Sequence, residues 1–191
     1  SRQIDVAFRG GGKTLIKVMD DGFGMDEADL ALAIERHATS KLADDDLIDI
    51  KSLGFRGEAL PSIGAVSRLA ITSRPRGGGE AHALSVEGGK VSGIRPAALT
   101  RGTEMEVRDL FFATPARLKF LKSDRSETAE AADVIRRLAL AHPDVGFGFA
   151  TEERRLIDVA AGETRETRIG RIMGAEFLNN AVAFSGSRED V

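Results

Sequence analysis

Apolar and polar residues alternate over Ile4-Asp5-Val6-Ala7-Phe8 and resume β character over Thr14-Leu15-Ile16-Lys17-Val18-Met19, with a glycine-rich stretch at 9–13 between them. Two such runs around a glycine turn predict a β-hairpin. Asp26, with Asp29 three residues on, predicts a helix start, and Ala28, Leu32, Ala33 and Ile34 carry its apolar side to about His37. Residues 38–53 hold no sustained period. A short helix is predicted over 57–65 with Pro61 near its first turn, followed by strands over 68–73, 81–87, 90–95 and 104–108. Thr114 and Pro115 predict a helix start, with Thr as the cap. Residues 123–142 predict a long amphipathic helix, apolar at Ala131, Val134, Ile135, Leu138 and Leu140 and closed by Pro143. A last hairpin over 145–150 and 155–159 precedes Gly162, and a further helix over 165–173 stops at Gly174.

Strands and helices are mixed along the chain rather than strictly alternating. That order predicts an α+β two-layer sandwich, a mostly antiparallel mixed sheet with helices on one face, in preference to a doubly wound parallel sheet. At 191 residues and 42% hydrophobic, the chain is large enough for one substantial core and the beginning of a second domain. No run approaches the eighteen or so apolar residues of a membrane helix. The first residues, Ser1-Arg2-Gln3, carry neither an initiating Met nor a signal-peptide pattern, so the sequence reads as an excerpt of a longer protein, cut at both ends.

Cysteine is absent, which excludes disulfides, thiolate nucleophiles and cysteine-bound zinc and fits a reducing cytoplasm. His37, His82 and His142 lack metal-ligand spacing. The formal charge of -3 argues against a dedicated high-affinity DNA module, so contact with DNA is expected to be weak and non-specific. Residues Gly10-Gly11-Gly12-Lys13-Thr14 look like the tail of a phosphate loop, but the first glycine of that pattern would fall on Ala7, and β sequence rather than a helix follows. This is a hairpin turn.

Three segments carry the chemistry. In Asp20-Asp21-Gly22-Phe23-Gly24-Met25 a carboxylate ends a β run, and Gly22 and Gly24 remove side chains where a flat base must approach the backbone. A carboxylate there accepts a hydrogen bond from an exocyclic amine such as that of adenine. Taken alone, the string also suits a strand-to-helix turn that uses Asp and Gly for backbone reasons. Thr39, Ser40 and Lys41 add two hydroxyls and a point charge. Gly54, Phe55, Arg56, Gly57, Glu58, Ala59 and Leu60 place glycines and backbone N–H donors at a helix start, which favours anions. In this order the three pieces supply what is needed to grip a nucleotide from base to terminal phosphate.

These segments resemble the MutL-type DNA mismatch repair proteins, members of the GHKL ATPase superfamily shared with gyrase B subunits, Hsp90 and histidine kinases. The resemblance covers nearly the whole chain. It extends to Arg36-His37, to Gly102-Thr103, and to the run at 109–121, Asp-Leu-Phe-Phe-Ala-Thr-Pro-Ala-Arg-Leu-Lys-Phe-Leu, which looks particular to this branch. It implies ATP with Mg²⁺, Asp20 on the adenine amine, Thr103 near the base, and residues 39–41 and 54–60 wrapping the phosphates as a lid. It also implies an ATPase domain over 1–162 that lacks its first helix, and the truncated start of a ribosomal S5-like domain over 163–191. The partners it implies are a second copy in an ATP-dependent homodimer, MutS, and a downstream nuclease or helicase.

Ala113 and Leu118 depart from the Asn and basic residue of many relatives, and Asp21 replaces a common Asn. Two alternatives stay open: another ATPase of the superfamily such as a type II topoisomerase subunit, which the 109–121 run disfavours, and a non-catalytic DNA-binding or scaffold module. Phe111 and Phe112 are expected in the core. Arg117, Lys119, Lys122 and Arg125 form either a basic patch or a solvated helix face.

Fixing the backbones of residues 38–57 costs at most about 20 kcal/mol at ~1 kcal/mol each. Micromolar nucleotide binding releases only about 8 kcal/mol. Lid closure is therefore expected to share its driving force with docking of a second subunit. In the family the general-base Glu and the Mg²⁺-binding Asn lie on a helix ahead of the first strand, and the lysine that reaches the γ-phosphate lies in the second domain; none of them is found in these 191 residues, and Glu58 is not assigned as a substitute. Hydrolysis needs a base to orient water. A phosphate-release assay on the 191-residue chain with ATP and Mg²⁺ is expected to stay at background.

Overall fold

The computed structural model describes residues 1–35, 57–182 and 184. Strands β1 (Gln3–Arg9) and β2 (Leu15–Asp20) form the expected hairpin through a 3₁₀ turn at Gly10–Gly12. Helix α1 (Glu27–Leu32) starts where the sequence predicts, with the Asp26 carboxylate accepting from the Asp29 N–H at 2.9 Å. It ends at Leu32, short of the expected limit near His37, which lies outside the described residues. Helix α2 (Ala59–Val66) leads into β3 (Arg68–Arg74) and β4 (Ala81–Glu87).

The single strand expected over 90–95 is two short pieces, β5 (Lys90–Val91) and β6 (Arg95–Ala97), both paired with β4. Val86 faces Val91 whereas Ala83 faces Arg95, so one extra residue is accommodated between them and the ladder breaks. Strand β7 (Gly102–Arg108), helix α3 (Asp124–Ala141), the hairpin β8 (Gly146–Thr151) and β9 (Arg155–Val159), and helices α4 (Arg165–Met173) and α5 (Ala175–Asn179) complete the described chain.

Among the described residues the strands make one nine-stranded sheet in the order β5-β4-β3-β7-β2-β1-β8-β9, with β6 also on β4. All pairings are antiparallel except β1 with β8, which gives the mixed sheet expected. Because side chains alternate, the register collects Val6 and Phe8, Ile16 and Val18, Met105 and Val107, Leu69 and Ile71, and Leu84 and Val86 on one face. Leu30 of α1 and Leu60 and Ile63 of α2 pack over the β3–β4–β7 half of that face. Ala132, Ile135 and Ala139 of α3 pack over the half formed by β1, β8 and β9, where Phe8 and Phe149 meet at 5.8 Å. The opposite face carries charge: Lys17 pairs with Glu104 at 2.9 Å and Glu106 at 3.2 Å, and Arg108 with Glu106 at 2.8 Å. Helices on one side and a polar sheet surface on the other make the two-layer sandwich.

The 109–121 run departs from expectation. Asp109 and Phe111 have φ of 51° and 68°, so the chain coils tightly as it leaves β7. Phe111 and Phe112 end half-buried beneath cations, Arg117 at 6.0 Å and Arg68 at 4.8 Å, and belong to neither core cluster. The helix expected at Thr114 is a 3₁₀ segment, Pro115–Phe120, and Thr114 makes no side-chain cap.

Arg168 fastens α4 to the sandwich. It is 1% exposed, and its Nε donates to Glu163 Oε2 at 2.8 Å. Nη1 donates to the carbonyls of Ala139 and His142, and Nη2 to those of Pro143, Val145 and Ala160, at 2.6–3.3 Å. One guanidinium thus ties together the end of α3, the approach to β8, the end of β9 and the first turn of α4. Burial opposes charge on Glu163, but Arg168, the Ala160 N–H and Arg171 outweigh it and hold the carboxyl below its ordinary range.

A lowered folded-state value means that this stabilisation is complete above the unfolded value of about 4.3 and fades as pH falls through the folded one. Denaturant titration of Arg168→Met is expected to show a loss of about 3–5 kcal/mol, because Glu163 then keeps a buried charge that has lost its closest cation and retains Arg171 and the Ala160 N–H. Glu163→Gln should flatten the acid limb of the stability profile.

Candidate functional site

The hydrophobic face of the sheet changes character at one end. Asp20 is the Cα partner of Thr103, Thr103 of Ser73, and Ser73 of His82, so four polar residues on β2, β7, β3 and β4 continue rows that are otherwise apolar. Asp20 Oδ1 accepts from the Gly22 N–H at 2.7 Å and from Ser1 Oγ at 2.9 Å. The first of these bonds folds the chain back over the end of β2. Among the described residues Oδ2 has no protein partner.

Two glycines fix how the following loop sits. Gly24 has φ of 66°, and a Cβ there would overlap the Arg74 carbonyl at the end of β3. Gly102 has φ of 72°, and its Cβ would overlap the Asp20 carbonyl. The loop is then stitched to β3: the Met25 N–H donates to Ser73 Oγ at 2.8 Å, and the Arg76 N–H donates to the Phe23 carbonyl at 2.7 Å. The Phe23 ring is 73% exposed, with the Arg76 guanidinium 5.3 Å from its centre. Asp21 points to the other side and accepts from the Arg2 and Gln3 N–H groups at 2.7 and 2.9 Å. Those backbone bonds, the Gln3 bond foremost, hold its carboxyl below the usual range.

Asp20, Gly22, Gly24 and Thr103 therefore come together at one end of the β2–β7 pair. Gly57, with φ of 61°, and Glu58 lead into α2, which begins at Ala59, and Leu60 packs into the same cluster as Met25 and Met105, neighbours of Gly24 and Thr103. Thr39, Ser40, Lys41, Gly54, Phe55 and Arg56 lie outside the described residues. Arg117 and Lys119, both exposed, lie over the Phe111 and Phe120 rings respectively, and Lys122 pairs with Glu130 at 3.2 Å. An open cavity of about 740 Å³ near Arg74, Glu80, Pro96 and Leu99 includes none of the expected site residues. Among the described residues no cluster of three or more His, Asp or Glu is placed to hold a metal ion, and no helix is long and apolar enough to cross a membrane.

Sequence reasoning missed Ser73. It is 0% exposed, and its Oγ lies 3.2 Å from the Gly102 carbonyl and 2.9 Å from Thr103 Oγ1. The signal was present: in the alternation Leu69-Ala70-Ile71-Thr72-Ser73, serine occupies an inward position that the pattern reserves for an apolar side chain.

No protein-family model matches the chain. Curated relatives do. It is 54% identical over 194 residues to the DNA mismatch repair protein MutL of Rhodospirillum rubrum and 56% identical over 193 residues to that of Bradyrhizobium diazoefficiens. Each alignment covers 99% of this chain but only 31–32% of the relative, so the chain spans about a third of their length. Among solved structures, the MutL ATPase domain of Aquifex aeolicus complexed with ADP superposes with a TM-score of 0.73 at 29% identity, over 91% of this chain and 61% of that one. The N-terminal domain of a DNA repair protein, at 24% identity and a TM-score of 0.72, shares the fold. Gly24→Ala is expected to lower the melting temperature by several degrees, since the new Cβ meets backbone rather than a movable side chain.

Proposed function

Because the chain carries MutL-type sequence and the MutL ATPase-domain fold along nearly its whole length, we propose that it is the ATP-binding region of a DNA mismatch repair protein. The observation that carries this reading is the meeting of Asp20, Gly22, Gly24 and Thr103 at one strand end. Asp20 Oδ1 is engaged by the Gly22 N–H, which leaves Oδ2 to accept from the adenine amine. The two glycines leave the backbone bare where the ring lies, and Thr103 meets the neighbouring edge of the base. Gly57, Glu58, Ala59 and Leu60 open α2 and, with Gly54, Phe55, Arg56, Thr39, Ser40 and Lys41, are proposed to cover the phosphates.

ATP supplies the phosphoanhydride whose cleavage the whole protein uses, and Mg²⁺ is brought in with the triphosphate. The residues described contribute to binding, and no catalytic residue is assigned among them. The proposal extends to the ATP-dependent homodimer, to coupling of MutS with a downstream nuclease or helicase, to weak contact with DNA, and to work in the cytoplasm, in line with the absence of cysteine. It also divides the chain at 162/163, with 1–162 as the nucleotide-binding sandwich and 163–191 as the start of a second domain. Arg168 is then the joint, since it lies on the second part and donates into the carbonyls of the first.

A thermal-shift titration of the chain with ATP and Mg²⁺ tests the reading. ATP is expected to raise the melting temperature, and Asp20→Asn to weaken binding by about ten- to a hundredfold, the worth of a hydrogen bond to a charged acceptor. Tight, salt-dependent DNA binding with no nucleotide-induced shift would instead select a DNA-binding or scaffold module.

A further inference from the structure

The Ser73 hydroxyl has one proton and two oxygens to give it to. It accepts from the Met25 N–H at 2.8 Å, and both the Gly102 carbonyl, at 3.2 Å, and Thr103 Oγ1, at 2.9 Å, stand within reach of its own proton. If that proton goes to Gly102, then Thr103 must spend its own on Ser73 and turns only lone pairs outward. If it goes to Thr103 Oγ1, the closer of the two, the Thr103 proton is free to point away from the sheet as a donor.

The base edge decides between these arrangements. Asp20 stands beside Thr103 in the neighbouring strand, and an ionised carboxylate only accepts. Adenine places a donor, its exocyclic amine, next to an acceptor, N1. In the same pose guanine places its O6 acceptor next to the N1–H donor. With the adenine amine on Asp20, the group on Thr103 must be a donor. The geometry points to Ser73 as a positioning residue that favours adenine over guanine: it gives its single proton to Thr103 and thereby commits the Thr103 proton to the base. This rests on the reading that Asp20 and Thr103 hold a purine.

Calorimetric binding of ATP, GTP and 1-deaza-ATP, each with Mg²⁺, to the wild-type chain, Ser73→Ala, Thr103→Val and the double variant tests it. Ser73→Ala should bind ATP roughly five- to tenfold more weakly and narrow the ATP-to-GTP preference by a similar factor. It should leave the affinity for 1-deaza-ATP, which lacks the N1 acceptor, nearly unchanged. In the Thr103→Val background the same change should add nothing to discrimination. Equal weakening of ATP and 1-deaza-ATP by Ser73→Ala would mean that the serine only anchors the Met25 loop, and would overturn the inference while the purine site stands. Failure of the wild-type chain to bind ATP would overturn both. If Ser73→Ala melts without a cooperative transition, Ser73→Cys, of similar volume with a much weaker donor, is read by the same criteria.

Discussion

The site depends on the antiparallel register that sets β2 against β7 and β7 against β3. Asp20 and Thr103, and Thr103 and Ser73, share one end of one face only because Val18 with Met105 and Ile71 with Met105 share it further along. Burial of that apolar row fixes the pairing, since side chains alternate with a period of two and a slip of one residue would turn Met105 and Val107 out to the polar surface. The same slip would set Asp20 against Glu104 or Gly102. The polar end of the row is thus positioned by the hydrophobic middle, at no cost in flexible loops.

Around that row, backbone does most of the fastening. The loop after β2 is held by N–H groups of Gly22, Met25 and Arg76 and by two glycines with positive φ whose missing Cβ atoms let the end of β2 lie against the start of β7 and the loop against the end of β3. Asp20 and Asp21, adjacent in sequence, divide the work. The first turns toward the candidate site, and the second accepts from the backbone at the start of β1 and so closes the hairpin. At the far side of the sandwich, Arg168 has a comparable effect on a different scale, its charge drawn to five carbonyls and one carboxylate in the interior. A buried guanidinium satisfied in this way is costly to break, because removing either member strands the partners left behind.

Helix α1 was legible because Asp26 caps it through Asp29, and β7 was legible because its alternation over 104–108 is unbroken. The run at 109–121 was not. Its apolar residues suggested core, but positive φ at Asp109 and Phe111 coils the backbone and leaves both phenylalanines half-covered by arginines. Ser73 was overlooked for the opposite reason: its inward place in the alternation marks it as unusual, but what a buried serine does there depends on Thr103 and Met25, which only the fold brings beside it.

By itself the sequence determined which segments are strands and helices over most of the chain, which face of each strand is apolar, and which short stretches carry carboxylate, hydroxyl and glycine chemistry. Those follow from local periodicity and from backbone preferences of single residues. The tertiary structure alone decided that β1 pairs in parallel with β8, that Ser73 stands behind Thr103, and that Arg168 reaches carbonyls as far as 29 residues back along the chain. Each of those contacts joins residues distant in sequence, and nothing in the neighbourhood of either partner encodes the other.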